Sequence, residues 1–203
     1  MRLKSLSLTL GLLAAPLSPA GAHDHAHMMN MEAAQPVSGA SIYNLASRWT
    51  DQDGKTVDLK SLSGRPLVAA MAYTSCKDIC PLIVANMVAI EKAAQAKNLH
   101  AVRYIFFSLD SALDTPARLK AYAEERGLDP QDWTLFNGDA KAVRDLAAVL
   151  GVRYRRDDQG GFDHASVISL LNDKGEIVFQ KLDATLDTGE FVGKIEALHQ
   201  PKK

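Results

Sequence analysis

The chain has 203 residues, of which 47% are hydrophobic and 23% charged, and its formal net charge is −1. This composition is typical of one globular domain with a hydrophobic core. It offers no excess of positive charge for nucleic acid, so we expect no nucleic-acid partner, and we expect a monomer.

Residues 1–22 have the pattern of a secretory signal peptide. Arg2 and Lys4 precede an apolar run from Leu6 to Leu17, and the small residues SPAGA follow it. The run is too short to span a bilayer, so we expect cleavage, export across the inner membrane to the periplasm, and no membrane span in the mature chain. The alternative is an uncleaved N-terminal anchor.

Residues 23–40 are polar and small, and we expect a flexible tail. Cleavage after Ala22 or Ala20 would put a histidine third from a free amine, a ligand set that suits Cu(II) or Ni(II), while methionine thioethers suit Cu(I). The tail is therefore a candidate for a second, labile copper site, and the alternative is a solvated tail without function. The candidate ligands are His23, His25, His27, Met28, Met29 and Met31.

The globular domain is predicted to cover residues 41–200 and to begin with a hairpin. A turn cluster in SRWTDQDGKTVDLKSL separates short segments around Trp49 and Val57. The continuous apolar run Pro66–Tyr73 predicts a strand buried on both faces. Apolar residues at helical spacing then predict a helix from Pro81 to about residue 97.

Proline and glycine mark the ends of the next helices. A second buried strand, Ala101–Asp110, precedes a helix with Asp114 or Thr115 as its cap and Gly127 at its end. WTLF is a short strand candidate, and DAKAVRDLAAVLG predicts a helix closed by Gly151.

Two apolar runs flank the turn NDKG at residues 172–175, which predicts a hairpin, and a final helix is predicted from Thr188 to His199. Alternating strands and helices followed by a hairpin predict an α/β fold, a central mixed sheet flanked by helices. This is the layout of a thioredoxin-like domain with an N-terminal β-hairpin extension.

The only two cysteines, Cys76 and Cys80, are separated by three residues and followed by Pro81. A residue before proline avoids the helical region, so Cys80 is predicted as the helix cap, with both sulfurs at a helix N-terminus that lowers the cysteine pKa. A disulfide here would close a loop too short to stabilise the fold much. We therefore favour a redox or metal site over a structural bridge.

The spacing of the pair leaves room for an ion between the sulfurs, and two thiolates suit Cu(I), whereas an added imidazole suits either copper oxidation state. Among the six histidines, His164 follows Gly160 and Gly161 at the predicted mouth of a buried strand, with Asp163 beside it. A lone histidine is often only a surface or core residue. Because loops converge at one edge of an α/β sheet, we nevertheless expect His164 near the cysteines.

The stretches YTSCKDICP, SLDSALDTPARLKAYAEERG and FDHASVISLLNDKGEIV together resemble the SCO/SenC family of copper-delivery proteins over residues 41–198. The loop SLDSALDTP departs from that family, whose members commonly carry a proline and an arginine there. The positions that match the family pattern are Cys76, Cys80, Pro81, Asp163 and His164.

The resemblance implies a thioredoxin-like fold and copper bound by Cys76, Cys80 and His164. It also implies delivery of that copper to the dinuclear centre of cytochrome c oxidase or to another cuproprotein, or thiol reduction that prepares this centre. A copper-accepting protein and a thiol reductase are then the expected partners.

Three other functions stay open at this point. A periplasmic thiol-disulfide oxidoreductase would have the same fold, although this chain has FDHAS where such enzymes place a cis-proline. A thiol peroxidase would need neighbours that polarise peroxide, for which Arg65 or Arg103 are candidates. A structural zinc site would need a fourth ligand that the sequence does not supply.

Overall fold

The structure is a computed structural model that describes residues 39–77, 79–182 and 187–199. The predicted signal peptide and nearly all of the predicted tail, including its histidines and methionines, lie outside the described residues. Within these ranges, no helix is both long enough and apolar enough to cross a membrane.

Nine strands and four α-helices follow one another along the described chain. The strands are β1 Arg48–Asp51, β2 Thr56–Asp58, β3 Leu67–Ala72, β4 Arg103–Ser108, β5 Trp133–Gly138, β6 Tyr154–Arg156, β7 Phe162–His164, β8 Ile168–Leu171 and β9 Ile177–Lys181. The helices are α1 Cys80–Gln95, α2 Pro116–Glu125, α3 Ala140–Leu150 and α4 Thr188–His199, and short 3₁₀ turns cover Ile42–Asn44 and Leu59–Leu62.

Seven of the strands form one mixed sheet in the order β2-β1-β5-β4-β3-β8-β9. β3, β4 and β5 run parallel, and the remaining pairs are antiparallel. α1 and α4 pack against each other, and α2 packs on β1 and β5. This confirms the predicted thioredoxin-like sheet, its flanking helices and the N-terminal hairpin β1–β2.

The capping residues in the sequence predicted most helix ends correctly. The Thr115 side chain caps α2 by accepting the N–H of Arg118, and Asp139 caps α3 by accepting that of Ala142. Gly151 ends α3 in the left-handed region at φ 67°, as its position predicted. Of the two predicted caps for α2, Thr115 is therefore correct.

The start of α1 differs from the prediction. The first helical hydrogen bond runs from the N–H of Ile83 to the carbonyl of Ile79, so Ile79 is the cap and Cys80 the first helical residue. Pro81 fits the second position because no amide donor is needed in the first turn of a helix. The preference of a pre-proline residue for extended backbone is overridden here.

The N-terminal hairpin joins the sheet through a close contact between Trp49 and β5. Trp49 is fully buried and pairs with Gly138, where an added Cβ would lie 2.7 Å from the indole ring. Only glycine leaves room for the ring at this position. The contact fixes the hairpin at one side of the sheet.

We therefore expect Gly138→Ala to lower the free energy of unfolding by about 1–3 kcal/mol, because the tightly packed indole has to shift. Urea denaturation measures this loss. Gly193→Ala is the matched control, since Gly193 lies on α4 with nothing within 4 Å of an added Cβ. The control should be neutral or stabilising, and equal losses in both variants would contradict the role of the contact.

Candidate metal centre

The two cysteines lie where the chain leaves β3 and enters α1. β3 is buried along its whole length, so the segment after it emerges at the carboxyl end of the parallel strands. Cys76 lies in this connecting loop and is partly exposed, whereas Cys80 begins α1 and is fully buried. The two cysteines are not joined by a disulfide.

The Cys76 sulfur contributes to the start of α1. The backbone N–H of Cys80 points to Cys76 Sγ at 3.5 Å, and the cap residue Ile79 makes no side-chain hydrogen bond. A sulfur thus accepts one of the amide donors that a helix leaves unpaired at its N-terminus. The predicted placement of this sulfur at the helix N-terminus is confirmed.

His164 completes the group. Its side chain is buried, with Nε2 3.0 Å from Cys80 Sγ and Nδ1 3.1 Å from the carbonyl oxygen of Ala165. A carbonyl can only accept, so Nδ1 carries the proton and donates to it. The lone pair of Nε2 therefore faces the sulfurs, in the form that a metal ligand needs.

The ligand atoms of Cys76, Cys80 and His164 all lie within 4.8 Å of one another. In the described part of the chain this is the one group of three or more metal-ligating side chains that is drawn together. Two sulfurs and one imidazole nitrogen at this separation suit a soft or borderline metal ion. The structure thus brings the three predicted ligands together.

The surroundings of His164 differ from the prediction. It ends β7, which pairs with β6 in a separate two-stranded sheet, and it does not open a strand of the main sheet. The neighbouring Asp163 forms an ion pair with Arg155 on β6, with 2.8 Å from Arg155 Nη2 to the carboxylate. Asp163 therefore makes a cross-strand ion pair within the small sheet.

The predicted lowering of the cysteine pKa is wrong for Cys80. Burial raises the pKa of the Cys80 thiol, and the neighbouring Cys76 side chain raises it further. The favourable end of the helix dipole acts on Cys80, but the loss of water around its sulfur outweighs this effect. The Cys80 sulfur is also 3.0 Å from the unprotonated Nε2 of His164, an arrangement in which the thiol keeps its proton and donates it. Metal binding or disulfide formation would remove this proton.

A buried carboxylate that the sequence did not point out fixes the loop before Cys76. Asp114 is fully buried and accepts hydrogen bonds from the N–H and hydroxyl of Thr74 and from the hydroxyl of Ser108, at 2.6 Å for the last. Arg118 lies 3.8 Å from the same carboxylate and donates to the Thr74 hydroxyl. The sequence indicated Asp114 only as a candidate helix cap, so its function in fixing this loop was not predicted.

The fold and the site together define the class of protein. It is a thioredoxin-like domain in which two cysteine sulfurs and one imidazole nitrogen lie close enough to bind a single metal ion. The family model described as SCO1/SenC matches residues 38–200. The chain belongs to the SCO1/SenC family.

Relatives and solved structures agree with this assignment. A SCO1 protein homolog of Bacillus subtilis is 33% identical over 131 residues, which cover 63% of this chain and 67% of that protein. A SCO2-like protein of Rickettsia felis is 29% identical over 133 residues, 62% of each chain. The chain thus spans about two thirds of the length of these relatives.

Two solved structures share the fold. Copper-bound ScoI of Bradyrhizobium japonicum has a TM-score of 0.63 and 28% identity, covering 75% of this chain and 96% of that one. BsSco has a TM-score of 0.68 and 25% identity, covering 83% of this chain and 100% of that one. BsSco is described as carrying a disulfide switch and as a member of the Sco family of cytochrome c oxidase assembly proteins.

The unequal burial of the two thiols predicts unequal reactivity in the reduced, metal-free protein. We expect iodoacetamide at pH 8 to modify Cys76 faster than Cys80 by roughly tenfold or more, since each unit of raised pKa lowers the thiolate fraction about tenfold. Peptide mass spectrometry over time measures both rates. In denaturant the rates should become similar, and faster modification of Cys80 in the folded protein would contradict the described geometry.

Proposed function

We propose that the chain is a periplasmic copper metallochaperone that holds copper with Cys76, Cys80 and His164 and passes it to another protein. The observation that carries this proposal is the three ligand atoms within 4.8 Å of one another at one edge of the sheet. The two sulfurs favour Cu(I), and the imidazole makes the site suitable for Cu(II) as well. The copper-bound relative from Bradyrhizobium supports copper as the cargo.

The unequal exposure of the ligands supports transfer rather than permanent storage. Cys80 and His164 are buried, whereas Cys76 is partly exposed in a loop. An acceptor ligand can therefore approach copper from the Cys76 side and replace one bond at a time. Three protein ligands also leave a copper ion with an open position for the incoming ligand.

The acceptor that we propose is the copper centre of cytochrome c oxidase or another cuproprotein of the same compartment. The description of BsSco as a member of a cytochrome c oxidase assembly family supports the first of these. The pattern of residues 1–22 supports export to the periplasm. In that oxidising compartment a thiol reductase is needed to keep the pair ready for copper.

The second candidate is a thiol-disulfide oxidoreductase, which the closeness of the two cysteine sulfurs favours. Oxidation would join Cys76 to Cys80, release two electrons and two protons to the partner disulfide, and remove two of the three copper ligands. A molecule in which Cys76 and Cys80 form a disulfide therefore cannot bind copper at this site. The disulfide switch described for BsSco supports this reading of the pair.

Anaerobic titration of the reduced protein with Cu(I) and Cu(II) against competing chelators tests the copper proposal. Cys76→Ala should abolish tight binding of both ions because it removes one of two thiolates. His164→Ala should lower Cu(II) affinity by about tenfold or more, equivalent to ~1.4 kcal/mol, with a smaller effect on Cu(I).

His199→Ala is the matched control, because His199 lies near the end of α4 with its Nδ1 2.9 Å from the carbonyl of Ile195. This variant should bind both ions like the unchanged protein. Tight copper binding by the Cys76→Ala variant would contradict the copper proposal for this site. The oxidoreductase function would then be favoured for the cysteines.

The histidine- and methionine-rich tail is proposed as a second, labile copper site that supplies or buffers the first. Deletion of residues 23–31 should lower the copper stoichiometry for both oxidation states and slow the loading of the Cys/His site. Inductively coupled plasma mass spectrometry after dialysis gives the stoichiometry. Unchanged stoichiometry and loading rate would show that the tail has no part in copper binding.

A further inference from the structure

The hairpin that carries His164 is not hydrogen-bonded as a strand to the sheet that carries the cysteines. β6 and β7 form their own two-stranded sheet, whereas the cysteine loop leaves β3 in the centre of the seven-stranded sheet. We call residues 154–164 the histidine hairpin. Backbone hydrogen bonds between the two sheets therefore do not set the distance from the imidazole to the sulfurs. Residues 165–167 connect His164 to β8, the neighbour of β3, and side-chain contacts fix the rest of its position.

Tyr73 makes such a contact. It follows β3 directly and is buried, and its hydroxyl meets the backbone of Phe162 in the histidine hairpin. The N–H of Phe162 donates to the hydroxyl oxygen at 3.2 Å, and the hydroxyl donates to the Phe162 carbonyl at 3.3 Å. The tyrosine ring also packs edge-on against Phe162 and His164, with centroids 5.4 Å and 6.0 Å away.

The turn of the histidine hairpin is shaped to admit this hydroxyl. A Cβ added at Gly161 would lie 2.9 Å from the Tyr73 hydroxyl and 2.7 Å from an Asp157 carboxylate oxygen. Asp157 closes the turn by accepting the N–H groups of Gln159 and Gly161 at 2.8 Å and 2.7 Å. The residue before Phe162 therefore has to be glycine for the hydroxyl to reach the backbone.

The hydroxyl keeps its proton in this position. The carbonyl oxygen of Phe162 can only accept, so the hydroxyl 3.3 Å away has to carry the proton that it donates. A protonated phenol can donate and accept at once, as both contacts to Phe162 require. The same residue thus connects the start of the cysteine loop to the residue two positions before the histidine ligand.

We propose that Tyr73 is a positioning residue whose hydroxyl holds the histidine hairpin where His164 Nε2 faces the two sulfurs. This inference rests on the proposed copper site, since it assigns a function to the placement of the third ligand. The hydroxyl also interacts with the Cys76 side chain. Without the hydroxyl, the Cys76 sulfur still accepts the N–H of Cys80, and Cys80 stays at the start of α1. The imidazole alone loses its support, so binding that depends on the imidazole weakens selectively.

The test is Tyr73→Phe, which removes only the hydroxyl. We expect Cu(II) affinity to fall roughly five- to tenfold, the effect of one lost hydrogen-bonding group, with Cu(I) affinity within about twofold. The absorption and paramagnetic resonance spectra of the Cu(II) form should change, because the nitrogen ligand is held less uniformly. Amide hydrogen exchange at Phe162 should become faster in the metal-free protein.

Tyr43→Phe is the matched control, because the Tyr43 hydroxyl is buried and has no hydrogen-bond partner among the described residues. This variant should leave the Cu(I) and Cu(II) affinities, the spectra of the Cu(II) form and the amide hydrogen exchange at Phe162 unchanged. Gly161→Ala disturbs the same contact from the hairpin side and should reproduce the selective loss of Cu(II) affinity. It also tests the inference if Tyr73→Phe does not fold.

Unchanged Cu(II) affinity together with unchanged exchange at Phe162 in Tyr73→Phe would overturn the inference. Equal losses for Cu(I) and Cu(II) would overturn it too, because the hydroxyl would then act on the thiols. If the unchanged protein binds neither ion, the proposed function fails by itself. Exchange at Phe162 then still decides whether the hydroxyl holds the hairpin, with faster exchange in support and unchanged exchange against.

Discussion

Burial of β3 on both faces is the constraint on which the rest of this structure depends. The strand lies between β4 and β8, and all of its residues are inaccessible to solvent. Buried backbone groups need partners, and the parallel and antiparallel neighbours supply them along the whole strand. The chain leaves the sheet at the end of β3, continues as the cysteine loop and then enters α1.

The position of the site at this end of the sheet has two further supports. Asp114 ties the loop to the end of β4 through Thr74 and Ser108, and Tyr73 ties it to the histidine hairpin. Both anchors are buried, and they hold the cysteine loop close to the histidine hairpin.

The sequence predicted those parts of the fold that local chemistry decides. Thr115 with Pro116, and Asp139 with Gly151, marked two helices because caps and left-handed glycines act within one turn. The small β6–β7 sheet was missed, since YRR and FDH are too short and too polar to show an apolar alternation. The spacing of the cysteines and the convergence of loops at one sheet edge indicated the three side chains, and the family resemblance implied that they bind copper. The raised pKa of Cys80 was not predicted. Its cause is burial by residues that are distant in the sequence, whereas the opposing helix dipole can be inferred from the local sequence.

X-ray absorption at the copper edge, on protein loaded with one equivalent of Cu(II) under anaerobic conditions, tests the central claim most directly. The geometry of Cys76, Cys80 and His164 predicts two sulfur atoms and at least one imidazole nitrogen bound to the ion. A copper shell of nitrogen and oxygen alone, without sulfur, would contradict the proposed site and place the metal elsewhere in the chain.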